Sequence, residues 1–311
     1  MKLLKSALML IGAIAIVFTL IFAVKSTVDN PTVDKPPLKE ARSSSMRTVV
    51  TSLPIPRDLN FAGEMVPLHE NEVLERVDRE FLVNTYWQSN AMLLMKRSKK
   101  YFPIMKPILA SYGVPEDFLY LAVAESGLEP LRSPAGAAGF WQLMKGTARD
   151  YKLEVNANVD ERYHIEKATA VACEYLLKAK EKFGSWTLAA AAYNAGNRGI
   201  ARALKKQQAE NYYDLLLGQE TGRYVFRILA LKTIMQDPVA YGFKLQKKDY
   251  YLLAPTKRIE LNKPIRNLSE FAKTHGISYK TLKRHNTWLR QGHLNNRSRK
   301  NYLIKIPEEA K

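Results

Sequence analysis

The 311-residue chain contains a single cysteine, Cys173, and five scattered histidines. No disulfide can close within it, and no Cys/His zinc framework can be assembled. It carries no HExxH, no paired His/carboxylate set at ligand spacing, and no phosphate-binding glycine loop ahead of a helix. No metal or cofactor is therefore expected. Acidic residues are the scarcer charge: 30 Asp and Glu face 48 Lys and Arg, a formal net charge of +18. That excess points to an anionic partner, whether nucleic acid, phospholipid or acidic polymer, without choosing among them. What is present, 46% hydrophobic and 25% charged residues, is the composition of a folded protein.

Lys2 and Lys5 precede an uncharged apolar stretch over residues 7–24 (ALMLIGAIAIVFTLIFAV) that ends at Lys25. As a helix it is roughly 27 Å long, close to the hydrocarbon thickness of a bilayer. Residues 1–25 read as an N-terminal membrane anchor, with a cleaved signal peptide as the alternative; the A-x-A cleavage pattern is poor. No cysteine follows, which excludes a lipoprotein anchor. Residues 26–60 hold prolines, serines and alternating charge without a helical stripe, and read as a disordered linker. The positive flank at Lys2 and Lys5 places everything after Lys25 outside the cytoplasm.

From Asn71 to Tyr112 apolar residues recur at helical spacing (Val73, Val77, Phe81 and Leu82, then Met92, Leu93 and Leu94). Pro115, Glu116 and Asp117 suit the first turn of the next helix. Ile165, Ala168, Ala172, Tyr175 or Leu176, and Ala179 form a stripe that ends at Gly184. Ser185 can cap the run WTLAAAAYNA, which stops at Gly196, and Arg223 to Met235 is a helix stopped by Asp237-Pro238. Residues 61–243 are expected to be all-α.

Phe118, Leu121, Ala122 and Glu125 fall at i, i+3, i+4 and i+7, one helical face. A carboxyl on that face, at the last turn before Gly127, has its pKa raised by burial and by the helix C-terminus. A glutamate protonated near neutral pH is what a general acid requires. From periodicity alone, a stripe-edge glutamate that bends back to solvent is an equal alternative. Its surroundings are ESGLEPLRSPAGAAGFWQLM, where Gly127, Gly136 and Gly139 suit tight turns and close approach to a ligand. Phe140, Trp141 and Gln142 suit sugar stacking and hydrogen bonding, with core packing the alternative for the two aromatics.

Glu125-Ser126, the run Ser133 to Gln142, Ala192-Tyr193-Asn194-Ala195-Gly196, and Glu220-Thr221 with Tyr224-Val225 together resemble the lytic transglycosylase (SLT) domain. That domain belongs to the family 23 glycosidases, with a lysozyme-like all-α fold. Trp141 before Gln142 is similar to the membrane-bound murein transglycosylase D branch, and the resemblance spans residues 102–235. It implies Glu125 as catalytic acid and then base. Ser126, Gln142, Tyr193, Asn194 and Tyr224 are the implied substrate-binding residues, and Glu220 is structural. The implied reaction cleaves the β-1,4 bond between N-acetylmuramic acid and N-acetylglucosamine and leaves a 1,6-anhydromuramoyl end. The implied place is the bacterial cell envelope, with a single inner-membrane span and a periplasmic body. Glu129, before Pro130, reads as a solvated or turn-stabilising group rather than a second catalytic carboxylate.

Residues 244–311 hold 17 Lys and Arg against 5 Asp and Glu, so they carry +12 of the net charge. Ile259–Leu261, Leu268–His275, Tyr279–His285 and Tyr302–Ile306 read as β-α-α-β, and resemble a LysM domain, a small α+β binder of N-acetylglucosamine polymers. Residues 262–268 replace the usual Gly-Asp-Thr-Leu turn, and Trp288–Lys300 is an insertion, so no ligand residues are assigned. The run FAKTHGISYKTLKRH also looks like a helix-turn-helix; the closing strand and an exported location argue against a DNA binder, and no nucleic-acid partner is expected. The expected partners are peptidoglycan glycan strands and, through the N-terminal segment, the membrane. The competing functions are a lysozyme-type hydrolase on the same fold and a non-catalytic peptidoglycan-binding scaffold.

Overall fold

A computed structural model describes residues 50–308, and from Ser52 onward they belong to one compact unit. The apolar segment over 7–24 and the linker up to residue 49 lie outside the described residues. Among the described residues no helix is long and apolar enough to cross a membrane. The end of the expected linker runs along the helical body instead. Leu59 is buried, Leu53 and Ile55 pack on the core, and the Pro54 carbonyl accepts from the Tyr241 hydroxyl at 2.9 Å.

A two-strand ribbon, β1 (Asn60–Phe61) with β2 (Glu64–Met65), opens the body. Helices α1 (Asn71–Tyr86) and α2 (Gln88–Tyr112) follow, so the periodic stretch from Asn71 is two helices broken at Trp87. A Schellman motif closes α2: Gly113 (φ +70) donates to Ala110, and Val114 donates to Leu109. Then come α3 (Phe118–Ser126), α4 (Lys145–Asp150), α5 (Ile165–Phe183), α6 (Trp186–Ala195), α7 (Asn197–Gln207) and α8 (Gln219–Gln236). Pro115–Asp117 form a tight turn ahead of α3, not its first turn. Ser185 caps α6 as its sequence suggests. Glu64 completes that cap, accepting from Trp186 N, Thr187 N and the Ser185 and Thr187 hydroxyls. Burial alone would raise the Glu64 pKa, but these donors overrule it and bring it down to about 2. Helix α3 lies at the centre, against α2 and α8, and α8 also packs on α1 and α6. Cys173 is fully buried, and desolvation pushes its thiol up to about 12, so it stays unreactive.

The C-terminal module is β3 (Thr256–Leu261), α9 (Leu268–Thr274), α10 (Tyr279–His285) and β4 (Tyr302–Pro307). The strands pair antiparallel from Thr256–Pro307 to Leu261–Tyr302. This is the β-α-α-β order read from the sequence. The two connecting segments that replace and extend the LysM turns are zipped to each other: Ile265 and Leu294 exchange both backbone hydrogen bonds at 2.8 Å. The segment after α10 also docks on the helical body. Asp160 N donates to Trp288 O at 2.9 Å, Arg290 N to Asn158 O at 2.9 Å, and the Thr287 hydroxyl to Tyr163 O at 2.7 Å. A second apolar core therefore draws Ala138, Val159 and Tyr163 from the body together with Leu268, Leu282, Leu289, Ile304 and Ile306 of the module. Leu289→Ala is expected to cost about 2–5 kcal/mol. Because the core is shared, denaturant unfolding should show one transition at lower denaturant, with no early phase for the module alone.

Candidate active site

The sequence of α3, FLYLAVAES, places no charge ahead of Glu125, and the helix is wrapped on every side. Seven of its nine residues are buried, so the single apolar face read from spacing is too narrow a description. A helix hydrophobic all round is a core element. Glu125 and Tyr120 are its two half-buried positions. The last turn ends at Gly127 (φ +59), whose carbonyl accepts from Arg97 Nη1 at 3.1 Å. Arg97 Nη2 pairs with Glu129 at 2.7 Å, which gives Glu129 the turn-stabilising role.

Helix α8 supplies the partner of the carboxyl: the Tyr224 hydroxyl donates to Glu125 Oε1. Burial raises the Glu125 pKa from 4.5 to about 7; the Tyr224 hydrogen bond and the Arg227 charge oppose the rise, and the Glu220 charge adds to it. Tyr224 and Tyr193 have pKa values well above 10, from burial first and then from the Glu125 charge. Both phenols therefore remain donors at any physiological pH.

Helix α6 brings the next layer. The Tyr193 hydroxyl donates to the Trp141 carbonyl at 2.7 Å. Asn194 Nδ2 donates to Glu220 Oε1 at 3.1 Å, and Asn194 Oδ1 accepts from the Thr221 hydroxyl at 2.7 Å. Glu220 thus joins α8 to α6.

The loop between α3 and α4 is held from behind. Ser126 is buried; its hydroxyl donates to Ala122 O and Phe140 O and accepts from Leu128 N. Gln142, at φ +45, turns its amide back to Leu131 O and Gly139 O. Trp141 is core, with its indole N–H on Thr169 Oγ1 at 2.8 Å, and Phe140 is buried against Tyr101. Gly139 is required by a backbone neighbour rather than a ligand: a Cβ there would sit 1.9 Å from Arg162 O. The Arg162 guanidinium in turn pairs with Asp160 at 2.8 Å and donates to Gly136 O and Leu143 O.

Among the sequence-derived residues, Glu125, Tyr224, Tyr193 and Asn194 converge on the space between α3, α6 and α8. The Ser126 hydroxyl and the Gln142 amide are engaged inside the α3–α4 loop instead. Arg227 and Arg162 escaped the sequence reading. Arg227, three residues after Tyr224 on the same helix, carried a usable i,i+3 signal. Arg162 carried none for its hold on the loop, because the carbonyls it binds lie 19 and 26 residues away in a segment without periodicity.

Residues 103–216 match the family Transglycosylase SLT domain, and residues 257–310 match the soluble lytic transglycosylase C-terminal LysM-like domain. Membrane-bound lytic murein transglycosylase D, from two strains of Escherichia coli, is 29% identical over 223 residues, covering 70% of this chain and 48% of its own. The chain thus spans about half the length of the curated relatives it matches. Among solved structures, an inactive mutant of lytic transglycosylase Slt from Pseudomonas aeruginosa aligns at TM-score 0.39 and 21% identity, over 49% of this chain and 26% of its own. The 70 kDa soluble lytic transglycosylase of Escherichia coli aligns at TM-score 0.40 and 18% identity, over 61% and 33%. The helical body thus contains an SLT domain, a LysM-like domain of the soluble lytic transglycosylase C-terminal type follows it, and the chain is homologous to membrane-bound lytic murein transglycosylase D.

Proposed function

We propose that the chain is a peptidoglycan lytic transglycosylase of the bacterial cell envelope, with the chemistry in residues 61–243 and the basic module, 244–311, as its buttress. It cleaves the β-1,4 bond between N-acetylmuramic acid and N-acetylglucosamine and leaves a 1,6-anhydromuramoyl end. The observation that carries this reading is a single half-buried carboxyl, Glu125, with a pKa of about 7 and a tyrosine donor on one oxygen. Since Tyr224 donates to Oε1, the acid proton resides on Oε2, free to be given away. Glu125 protonates the glycosidic oxygen, the muramoyl N-acetyl carbonyl stabilises the cationic centre, and the C6 hydroxyl attacks C1. Glu125, now a carboxylate stabilised by the Tyr224 hydroxyl, takes the proton of that hydroxyl. The nucleophile is intramolecular, so its effective concentration is high and no second carboxylate is needed.

The neighbouring carboxylates support this division of labour. Glycosidases with two catalytic carboxylates set them about 5–9 Å apart in complementary roles. Here Glu129 is bound to Arg97 and Glu220 to Asn194. The second Asn194 N–H orients the acetamido group and Tyr193 flanks the sugar, while Ser126 and Gln142 fix the loop behind Glu125. Mass spectrometry of muropeptides released from purified sacculi tests the reaction. Anhydro ends are expected; ends heavier by one water would identify a hydrolase, and no loss of turbidity would identify a non-catalytic binder.

Tyr224→Phe removes the donor that favours the carboxylate form. The Glu125 pKa should then rise further, which moves the alkaline limb of the pH–rate profile upward. The maximal rate should fall about 10–100-fold, as expected for losing a hydrogen bond to a charged group worth about 1.5–3 kcal/mol. An unchanged alkaline limb would separate Tyr224 from the proton chemistry.

A further inference from the structure

One cavity among the described residues is not lined by Glu125. It is a cleft of about 540 Å³ between α2, the segment before α5 and the C-terminal module. One wall is apolar: Tyr101 and Phe140, whose rings lie 4.8 Å apart, with Pro103 and Ile104 beside them. The facing wall comes from the module and is basic, with Arg258 on β3, Arg284 at the end of α10, and Lys100 reaching in from α2. Trp288 closes the floor, stacked on Tyr302 with ring centroids 5.2 Å apart. The cleft continues past Trp288 and Arg258 into a second hollow of about 270 Å³.

The charges in this cleft are unbalanced. Its single lining carboxylate, Glu166, is already held by Lys305 and lies 3.3 Å from His164 Nδ1. Arg258, Arg284 and Lys100 form no ion pair among the described residues, and the two arginines are exposed. His285, in the same cleft, registers the resulting field: burial lowers its pKa first, and the charges of Lys100, Arg284 and Lys305 lower it further. Two guanidinium forks suit carboxylates bidentately, and the proline–aromatic wall suits short alkyl groups. A phosphate group would use the first feature and leave the second without a purpose.

We infer that the cleft between the helical body and the C-terminal module is a second binding site, for a short peptide bearing carboxylates, of the kind murein carries on its muramoyl groups. Arg258 and Arg284 take the carboxylates, and Tyr101, Pro103 and Ile104 take the alkyl side chains. The identity of the peptide rests on the proposed murein substrate; the site itself rests on the cleft's walls and charge. Phe140 ties the two places together, because its ring lines the cleft while its carbonyl accepts from Ser126, next to Glu125. A strand gripped by its peptide in this cleft is thereby held by the same loop that backs the catalytic turn.

The test is calorimetric titration of the full chain with an acidic tetrapeptide of alanine, glutamate and diaminopimelate, carboxylates free. Saturable one-to-one binding is expected, at least tenfold weaker when the carboxylates are amidated. It should also weaken at least tenfold in the double variant Arg258→Glu with Arg284→Glu, and remain unchanged in Glu125→Gln. The amidated arm needs no variant, so it decides even if the double variant unfolds. Absence of saturable binding, equal binding of the amidated peptide, or loss of binding in Glu125→Gln but not in the double variant would each overturn the proposal. So would vesicles of phosphatidylglycerol that bind through these arginines when the peptide does not. Sacculus lysis is scored separately, so a lytic enzyme with an inert cleft and a peptide-binding chain without lysis give different results.

Discussion

Glu125→Gln is expected to abolish glycan cleavage, by on the order of 10³–10⁴-fold, while making the protein more stable above neutral pH. The two effects share one cause. In the folded chain the carboxyl has a pKa of about 7 against an ordinary 4.5. Below 4.5 both folded and unfolded chains hold the proton, and the group contributes nothing. Between 4.5 and about 7 the folded chain binds more protons than the unfolded one, so stability falls as pH rises through that window. Above about 7 the folded chain carries a partly buried charge at a cost of up to about 3 kcal/mol. Glutamine has no proton to lose and still offers Tyr224 an oxygen to donate to. Its stability advantage should therefore be absent at pH 4, grow between pH 4.5 and 7, and remain constant beyond. Thermal unfolding of both proteins across that range, with sacculus turbidity alongside, reads both effects. A Gln variant that keeps lysing, or that is less stable at pH 8, would contradict the assignment.

The largest stability loss is expected at Gly139→Ala. A Cβ at that position would sit 1.9 Å from the Arg162 carbonyl oxygen and 2.7 Å from its carbon, both backbone atoms, with φ at +82. Neither side can yield cheaply, because the Arg162 side chain is locked into Asp160, Gly136 O and Leu143 O. We expect a cost on the order of 3–5 kcal/mol. Lysis should fall more than the folded fraction does, since the neighbouring Phe140 carbonyl anchors Ser126 behind Glu125. Gly136→Ala is the control: φ is +89 but nothing lies within 4 Å of the added carbon. Only the left-handed strain of about 1–3 kcal/mol applies there. Equal losses at the two glycines, by chemical denaturation, would mean that the Arg162 contact yields.

These expectations divide along the line between what local sequence encodes and what only the assembled chain contains. Glu125 was legible because a lone carboxyl interrupts an apolar run at helical spacing, and Tyr193, Asn194 and Tyr224 because they stand in recognisable motifs. The cap at Ser185, the stop at Gly196 and the β-α-α-β order of the module were legible from periodicity and turn chemistry. The break at Trp87 was not, since neither proline nor glycine marks it. Nor were the Glu64 cap on α6, the Arg97 clamp on Gly127 or the docking of the segment around 286–295 on the segment around 154–163. Each joins residues from about 30 to 140 positions apart through backbone groups, which leave no pattern in the sequence. Gly139 shows the same limit in reverse: the need for glycine was readable, whereas its reason, the Arg162 backbone, was not.

Carbon-detected NMR titration of the Glu125 side-chain carboxyl in the wild-type chain tests the account most directly, with Glu125→Gln used to assign the resonance. A midpoint near pH 7 is predicted, moving upward in Tyr224→Phe. A midpoint near 4.5 would leave the site without a proton to give at neutral pH, and the proposed chemistry would fail with it.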